Sequence, residues 1–134
     1  MAGMPAILFG HCNPMNALLD KPYTEAWQII GKQTSRPKGI VSTSVHWFAP
    51  ETGVTVSTAP RTIHHFGGFP RELYQVQYPA PGDPELAGRV RQMLAPLPVT
   101  LDNSWGLDHG TWSVLGHVYP ASDEAPAGPL LAVA

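Results

Sequence analysis

Two short apolar runs bracket a helical segment near the N-terminus, and that order constrains the fold more than any other feature. Residues 5–10 (PAILFG) read as a buried strand, and residues 39–46 (GIVSTSVH), rich in Val, Ser and Thr, as a second. Between them Tyr23, Trp27 and Ile30 recur at helical spacing over residues 22–33. Pro22 suits a first helical turn, where the missing N–H has no partner to lose. Strand, helix, strand over about forty residues is a βαβ unit, which joins parallel strands by a right-handed crossover.

The remaining chain continues the α/β pattern. Residues 53–58 (GVTVST) alternate apolar and polar side chains and predict a third strand. Residues 59–82 form a long irregular connection, with a short helix expected near Arg71–Gln75; a loop of this size inside a compact domain is usually functional. Asp83 is an N-cap followed by Pro84 and Glu85, and Leu86, Val90, Met93 and Leu94 mark one face of the helix that Pro96 ends. Residues 97–101 (LPVTL) suit another strand, and a last helix is expected near 112–119. The fold class is therefore α/β, a mostly parallel sheet flanked by helices, over residues 1–120. Residues 121–134 (ASDEAPAGPLLAVA) read as an Ala/Pro-rich tail without a packed element.

Composition excludes several function classes. A formal charge of −2, with the eight Lys and Arg scattered, gives no basic stripe for nucleic acid. No stretch approaches the roughly 20 apolar residues of a spanning helix. The N-terminus lacks the basic region of a signal peptide, and the single Cys12 cannot form an internal disulfide, so a cytoplasmic location is expected. No GxSxG, P-loop or GxGxxG pattern occurs.

Chemistry concentrates in the histidines. His11 and His46, thirty-five positions apart, each stand where a predicted strand meets a loop. Ligands of open α/β sheets bind at the carboxyl ends of strands, so the two imidazoles could share one metal ion. The plainer alternative is that each bonds a neighbouring carbonyl. In "IHHFGGFP", His64 and His65 precede Gly67 and Gly68, which permit close approach to a ligand, and Phe66 and Phe69 could line an apolar pocket. In "DHG", Asp108 either orients the imidazole of His109 or caps a helix. His117 lies in an apolar helical face and reads as structural.

Taken in order, "LFGHCNPMNAL", "VSTSVHWF", "TIHHFGGFPRELYQVQYPAPGDPELA" and "PVTLDNSWGLDHGTWSVLGHVYP" resemble the DODA-type extradiol aromatic ring-opening dioxygenases, related to the catalytic subunit of protocatechuate 4,5-dioxygenase. These blocks span residues 5–120 and are more specific together than any one histidine spacing. The resemblance implies a metal-dependent dioxygenase with Fe(II) or Zn(II), opening a catechol with O₂ next to its two hydroxyls. It matches His11 and His46 to metal ligands and His109 to a catalytic histidine. His64, Gly67, Gly68 and Asp108 match positions bordering the substrate.

Four departures qualify the match, one of them Asn13 where the family usually has a small residue. Cys12 stands where the family has Gly, and His65 where it has Asp. Family members are also longer, with a third metal ligand and a base histidine beyond the point matching Pro120, so the chain reads as a truncated N-terminal half of the family's domain. Two readings follow: a dioxygenase centre whose activity depends on the missing groups, or a small non-catalytic domain that binds metal or oligomerises. Half a sheet leaves an open edge and an uncovered apolar face, so a homo-oligomer is expected.

Overall fold

The computed structural model describes residues 3–121 and 130–134. Its helices begin where short-range chemistry starts them. Helix α1 (Pro22–Gln33) has Pro22 in its first turn, and the Lys21 N–H donates to Thr24 Oγ1 at 2.9 Å. Helix α3 (Pro84–Leu94) starts after Asp83, whose Oδ1 accepts from the Leu86 N–H at 3.0 Å. Helix α4 (His109–Val118) starts after Asp108, which accepts from the Gly110 N–H at 3.0 Å. Each cap satisfies an amide that the first helical turn leaves without a partner. A single turn, α2 (Arg71–Tyr74), interrupts the long connection as expected.

Four strands, β1 (Ile40–Thr43), β2 (Thr52–Thr55), β3 (Val99–Asp102) and β4 (Leu130–Val133), form one sheet in the order β1-β4-β2-β3. β1 runs parallel to β4 and β2 parallel to β3, while β4 meets β2 antiparallel through Val54 and Val133. The α/β class with a parallel sheet and flanking helices thus holds.

Two strand expectations fail. Residues 5–10 form no strand; the segment lies along β1 across a cavity of about 440 Å³, with Leu8 99% exposed. An apolar run becomes a strand only when an edge pairs with it, and this one gains no ladder. The expected βαβ unit is therefore not built from it, and His11 follows an irregular segment instead of a strand end. At the other end, β4 lies inside residues 121–134, which read as an unpacked tail. It pairs with β1 over four residues, and Val133 is buried. Residues 122–129 lie outside the described residues.

Packing falls into two layers. Helices α1 and α4 share the larger core, with Trp27, Leu73, Leu107, Trp112, Leu115 and Val118. Their backbones approach so closely at Gly31 that any Cβ there would collide with the Val118 carbonyl. Helix α3 covers the other part of the sheet through Ala87, Val54 and Val133. The connection at 61–63 is pinned to the segment before α4: the Ile63 N–H donates to the Leu107 carbonyl and the Leu107 N–H to the Arg61 carbonyl, both at 2.8 Å. The Trp112 indole N–H donates to the Ile63 carbonyl at 2.9 Å. This fixes the first turn of α4 against the 59–82 connection. Among the described residues, no helix is long and apolar enough to cross a membrane.

Candidate metal centre

Three separate segments deliver one imidazole each. His11 precedes a 3₁₀ turn (Pro14–Ala17) that Asn13 caps and whose Asn16 side chain donates to the His11 carbonyl at 3.0 Å. That turn is tied to α4, because His117 Nε2 donates to the Asn16 carbonyl at 2.7 Å. His117 is structural, in keeping with the sequence. His46 sits in the turn after β1, and His109 is the first residue of α4.

The nitrogens of His11, His46 and His109 lie within 4.8 Å of one another. His11 Nε2 and His46 Nε2 are 2.8 Å apart, and the rings of His46 and His109 are 4.0 Å apart at an angle of 41°. A tetrahedral ion with bonds of about 2.0–2.1 Å spaces its ligands about 3.3 Å apart, so the observed separations bracket what such an ion needs. The donor set suits it as well. His109 is buried, and its Nδ1 has no hydrogen-bond partner, an orphaned polar atom that a ligand would satisfy.

Burial and neighbouring charge favour the neutral form of two of these rings, His11 and His109. Burial, and then the neighbouring His46, push His109 down to about 4, against the pull of Asp108. Burial, and then His46, hold His11 below the usual imidazole range. A neutral imidazole presents a lone pair, so no proton has to leave before a cation binds near neutral pH.

The other residues singled out in the sequence surround this group without joining it. His64 Nε2 donates to the Val76 carbonyl at 2.8 Å. Phe66, two residues on, places its ring 5.5 Å from that of His109 and packs on Phe69 and Tyr74. Gly67 and Gly68 are exposed, with Gly68 at φ +77°, a turn conformation that favours glycine. Asp108 is 1% exposed and stands behind the imidazoles, its Oδ1 accepting from Ser44 Oγ at 2.7 Å as well as from the Gly110 N–H. Two contributors escaped the sequence reading. Ser44 stands inside an expected strand, and Gly110 follows His109 in "DHG" with no role of its own. Trp47 and Trp105 stack at 5.5 Å and 10° beside the site, with His65 against Trp105.

Comparison with known proteins shows the family. The family described as the catalytic LigB subunit of aromatic ring-opening dioxygenase matches residues 6–134. A protein of Escherichia coli (strain K12) named 4,5-DOPA dioxygenase extradiol is 54% identical over 121 residues, covering 90% of this chain and 45% of its own. A protein of the same name from Beta vulgaris is 41% identical over 122 residues, covering 84% and 44%. The crystal structure of an uncharacterized protein from Escherichia coli K12 superposes with a TM-score of 0.65 at 42% identity, covering 86% of this chain and 41% of that one. The chain spans about half the length of the curated relatives it matches.

Proposed function

Because the chain belongs to the LigB family of aromatic ring-opening dioxygenases, we propose that His11, His46 and His109 hold a divalent cation, Fe(II) or Zn(II), at a centre for extradiol cleavage of a catechol. The observation that carries this reading is the convergence of three imidazoles from distant segments within 4.8 Å. When bound, Fe(II) supplies coordination positions at which a catechol and O₂ meet, removing the entropic barrier to their encounter. The reaction breaks the ring bond next to the two hydroxyls, and both atoms of O₂ enter the product.

The chain's own residues bind, orient and shield. Neutral His11 and His109 offer lone pairs without first releasing a proton. Phe66, with Phe69 and Tyr74 behind it, forms an apolar wall 5.5 Å from the His109 ring, against which an aromatic substrate can lie flat. Gly67 and Gly68 leave the approach beside that wall open, since no atom lies within 4 Å of where their side chains would start. The bond from His64 Nε2 to the Val76 carbonyl places the ring proton of the neutral imidazole on Nε2, and Nδ1 is then an acceptor for a substrate hydroxyl. Asp108, shielded from solvent, acts on the imidazoles and not on the substrate.

The test is to load the protein with Fe(II), add L-DOPA in air and follow the yellow ring-opened semialdehyde. Colour above the free-iron control, lost in His109→Ala, is expected; colour no greater than that control refutes the catalytic reading. A second reading, a metal-binding domain that assembles without catalysis, is favoured by Leu8 at 99%, Phe48 at 96% and Val45 at 81% exposure, apolar side chains that water penalises. It expects a dimer or larger species by sedimentation at micromolar concentration, and a monodisperse monomer contradicts it.

A further inference from the structure

We propose that Ser44 is a positioning residue: through Asp108 it locks the turn carrying His46 to the helix start carrying His109, and so sets the spacing of the cation site. The inference rests on the reading that these histidines hold a cation, and it concerns how the site is held in register.

The need for a brace follows from where His46 stands. It is exposed, lies beyond the last residue of β1, and its ring is bonded only to His11 among the contacts described. An imidazole on such a turn is not fixed by its own strand. Ser44 fixes it from behind. The His46 N–H approaches Ser44 Oγ at 3.3 Å, and Ser44 Oγ donates to Asp108 Oδ1 at 2.7 Å, across 64 positions of sequence. The same Oδ1 accepts the Gly110 N–H at 3.0 Å. One carboxylate oxygen thus joins the strand-end turn to the first turn of α4, on the residue directly before His109.

The geometry repeats one step back along the strand. Ser42 Oγ lies 2.9 Å from Thr111 Oγ1. Ser44 directly follows β1 two residues after Ser42, and Asp108 is the cap of α4 three residues before Thr111, spacings that keep each pair on one side. Ser42 and Ser44 therefore meet Thr111 and Asp108 in register. Only the second rung reaches the histidines. Gly110 confirms how tightly that rung is closed, because a Cβ there would lie 2.7 Å from Ser44 Oγ, 3.0 Å from His46 Cδ2 and 3.1 Å from Asp108 Oδ1. Groups that orient metal-binding side chains typically change affinity about 10–100-fold when removed.

The experiment titrates Co(II), then competes it with Zn(II), on wild-type protein and on Ser44→Ala, Ser44→Thr and Ser42→Ala. Affinity and the visible absorption of bound Co(II) are read together, and thermal unfolding of each metal-free variant runs alongside. The inference predicts that Ser44→Ala weakens binding about 10-fold or more and alters the Co(II) spectrum. Ser44→Thr, which keeps the hydroxyl, restores both, and Ser42→Ala, which breaks the neighbouring rung, changes neither. If Ser44→Ala and Ser42→Ala weaken binding equally, or if Ser44→Ala matches wild type, the inference falls. Should Ser44→Ala fail to fold, a Ser44→Thr variant with wild-type spectrum beside a Ser44→Val variant with an altered one supports it, and identical spectra overturn it. Wild-type protein that binds no Co(II) refutes the cation site itself, a result separable from all of these.

Discussion

Two glycines of one helix should respond to the same substitution with opposite sign. Gly110→Ala adds a methyl group at the start of α4, where its carbon would lie 2.7 Å from Ser44 Oγ, 3.0 Å from His46 Cδ2 and 3.1 Å from Asp108 Oδ1. Carbon contacts are comfortable near 3.5–4.0 Å, so all three atoms must give way. The easiest motion is rotation of Ser44, which breaks its 2.7 Å bond to Asp108. Asp108 Oδ2 already has no partner and the residue is 1% exposed, so the carboxylate has no water to turn to. Overpacking costs about 1–3 kcal/mol and a lost partner for a buried acceptor about 1–3 kcal/mol. The two are alternatives more than addends, and the helix gains back up to about 1 kcal/mol from Gly→Ala. A net loss of about 1–2 kcal/mol follows, or roughly 3–8 °C in Tm for a chain of this size. Gly116 stands in the same helix with nothing within 4 Å of its would-be Cβ. Gly116→Ala should therefore stabilise by about 0.5–1 kcal/mol. Circular-dichroism melts of the metal-free variants decide the matter. A Gly110→Ala protein as stable as Gly116→Ala would refute the close packing on which the brace depends.

Two further effects are accessible by unfolding measurements. Cys12 adopts φ 56°, a left-handed conformation that costs a non-glycine residue about 1–2 kcal/mol, so Cys12→Gly should stabilise by about 1 kcal/mol after the added chain entropy; a destabilised variant contradicts this. Burial pushes the Tyr78 phenol up to about 12 from 10.0, while its OH donates to the Tyr119 carbonyl at 2.8 Å. Its folded value lies above its unfolded one, so the neutral phenol's contribution is complete below about pH 10 and is lost as pH rises through about 12. Denaturant midpoints should fall across that window in wild type and fall less in Tyr78→Phe; parallel curves would contradict the assignment.

What the sequence disclosed followed the range of the interaction. Pro22, and Asp83 with Pro84, act within one helical turn, and α1 and α3 appear where those residues place them. The first apolar run misled because strand formation depends on a partner edge, and residues 5–10 meet β1 across a cavity instead of a ladder. β4 was illegible for the converse reason: its pairing with Ile40–Thr43 joins residues 90 positions apart, such as Ile40 and Leu130, in a segment with no periodicity of its own. Convergence of His11 and His46 was anticipated from two strand ends, and it occurs with only one of them present. Asp108 carried both of its expected possibilities, as a helix cap and as a neighbour acting on imidazoles. Ser44 gave no signal, since its role depends on the register of β1 against α4, which no local pattern encodes.

The most direct test of the site is the metal content of protein freed of metal by a chelator, incubated with excess Zn(II) and desalted. One ion per chain in wild type, and little in His11→Ala, His46→Ala or His109→Ala, is the expected result. Equal metal in wild type and in all three variants would show that the imidazoles meet without holding an ion.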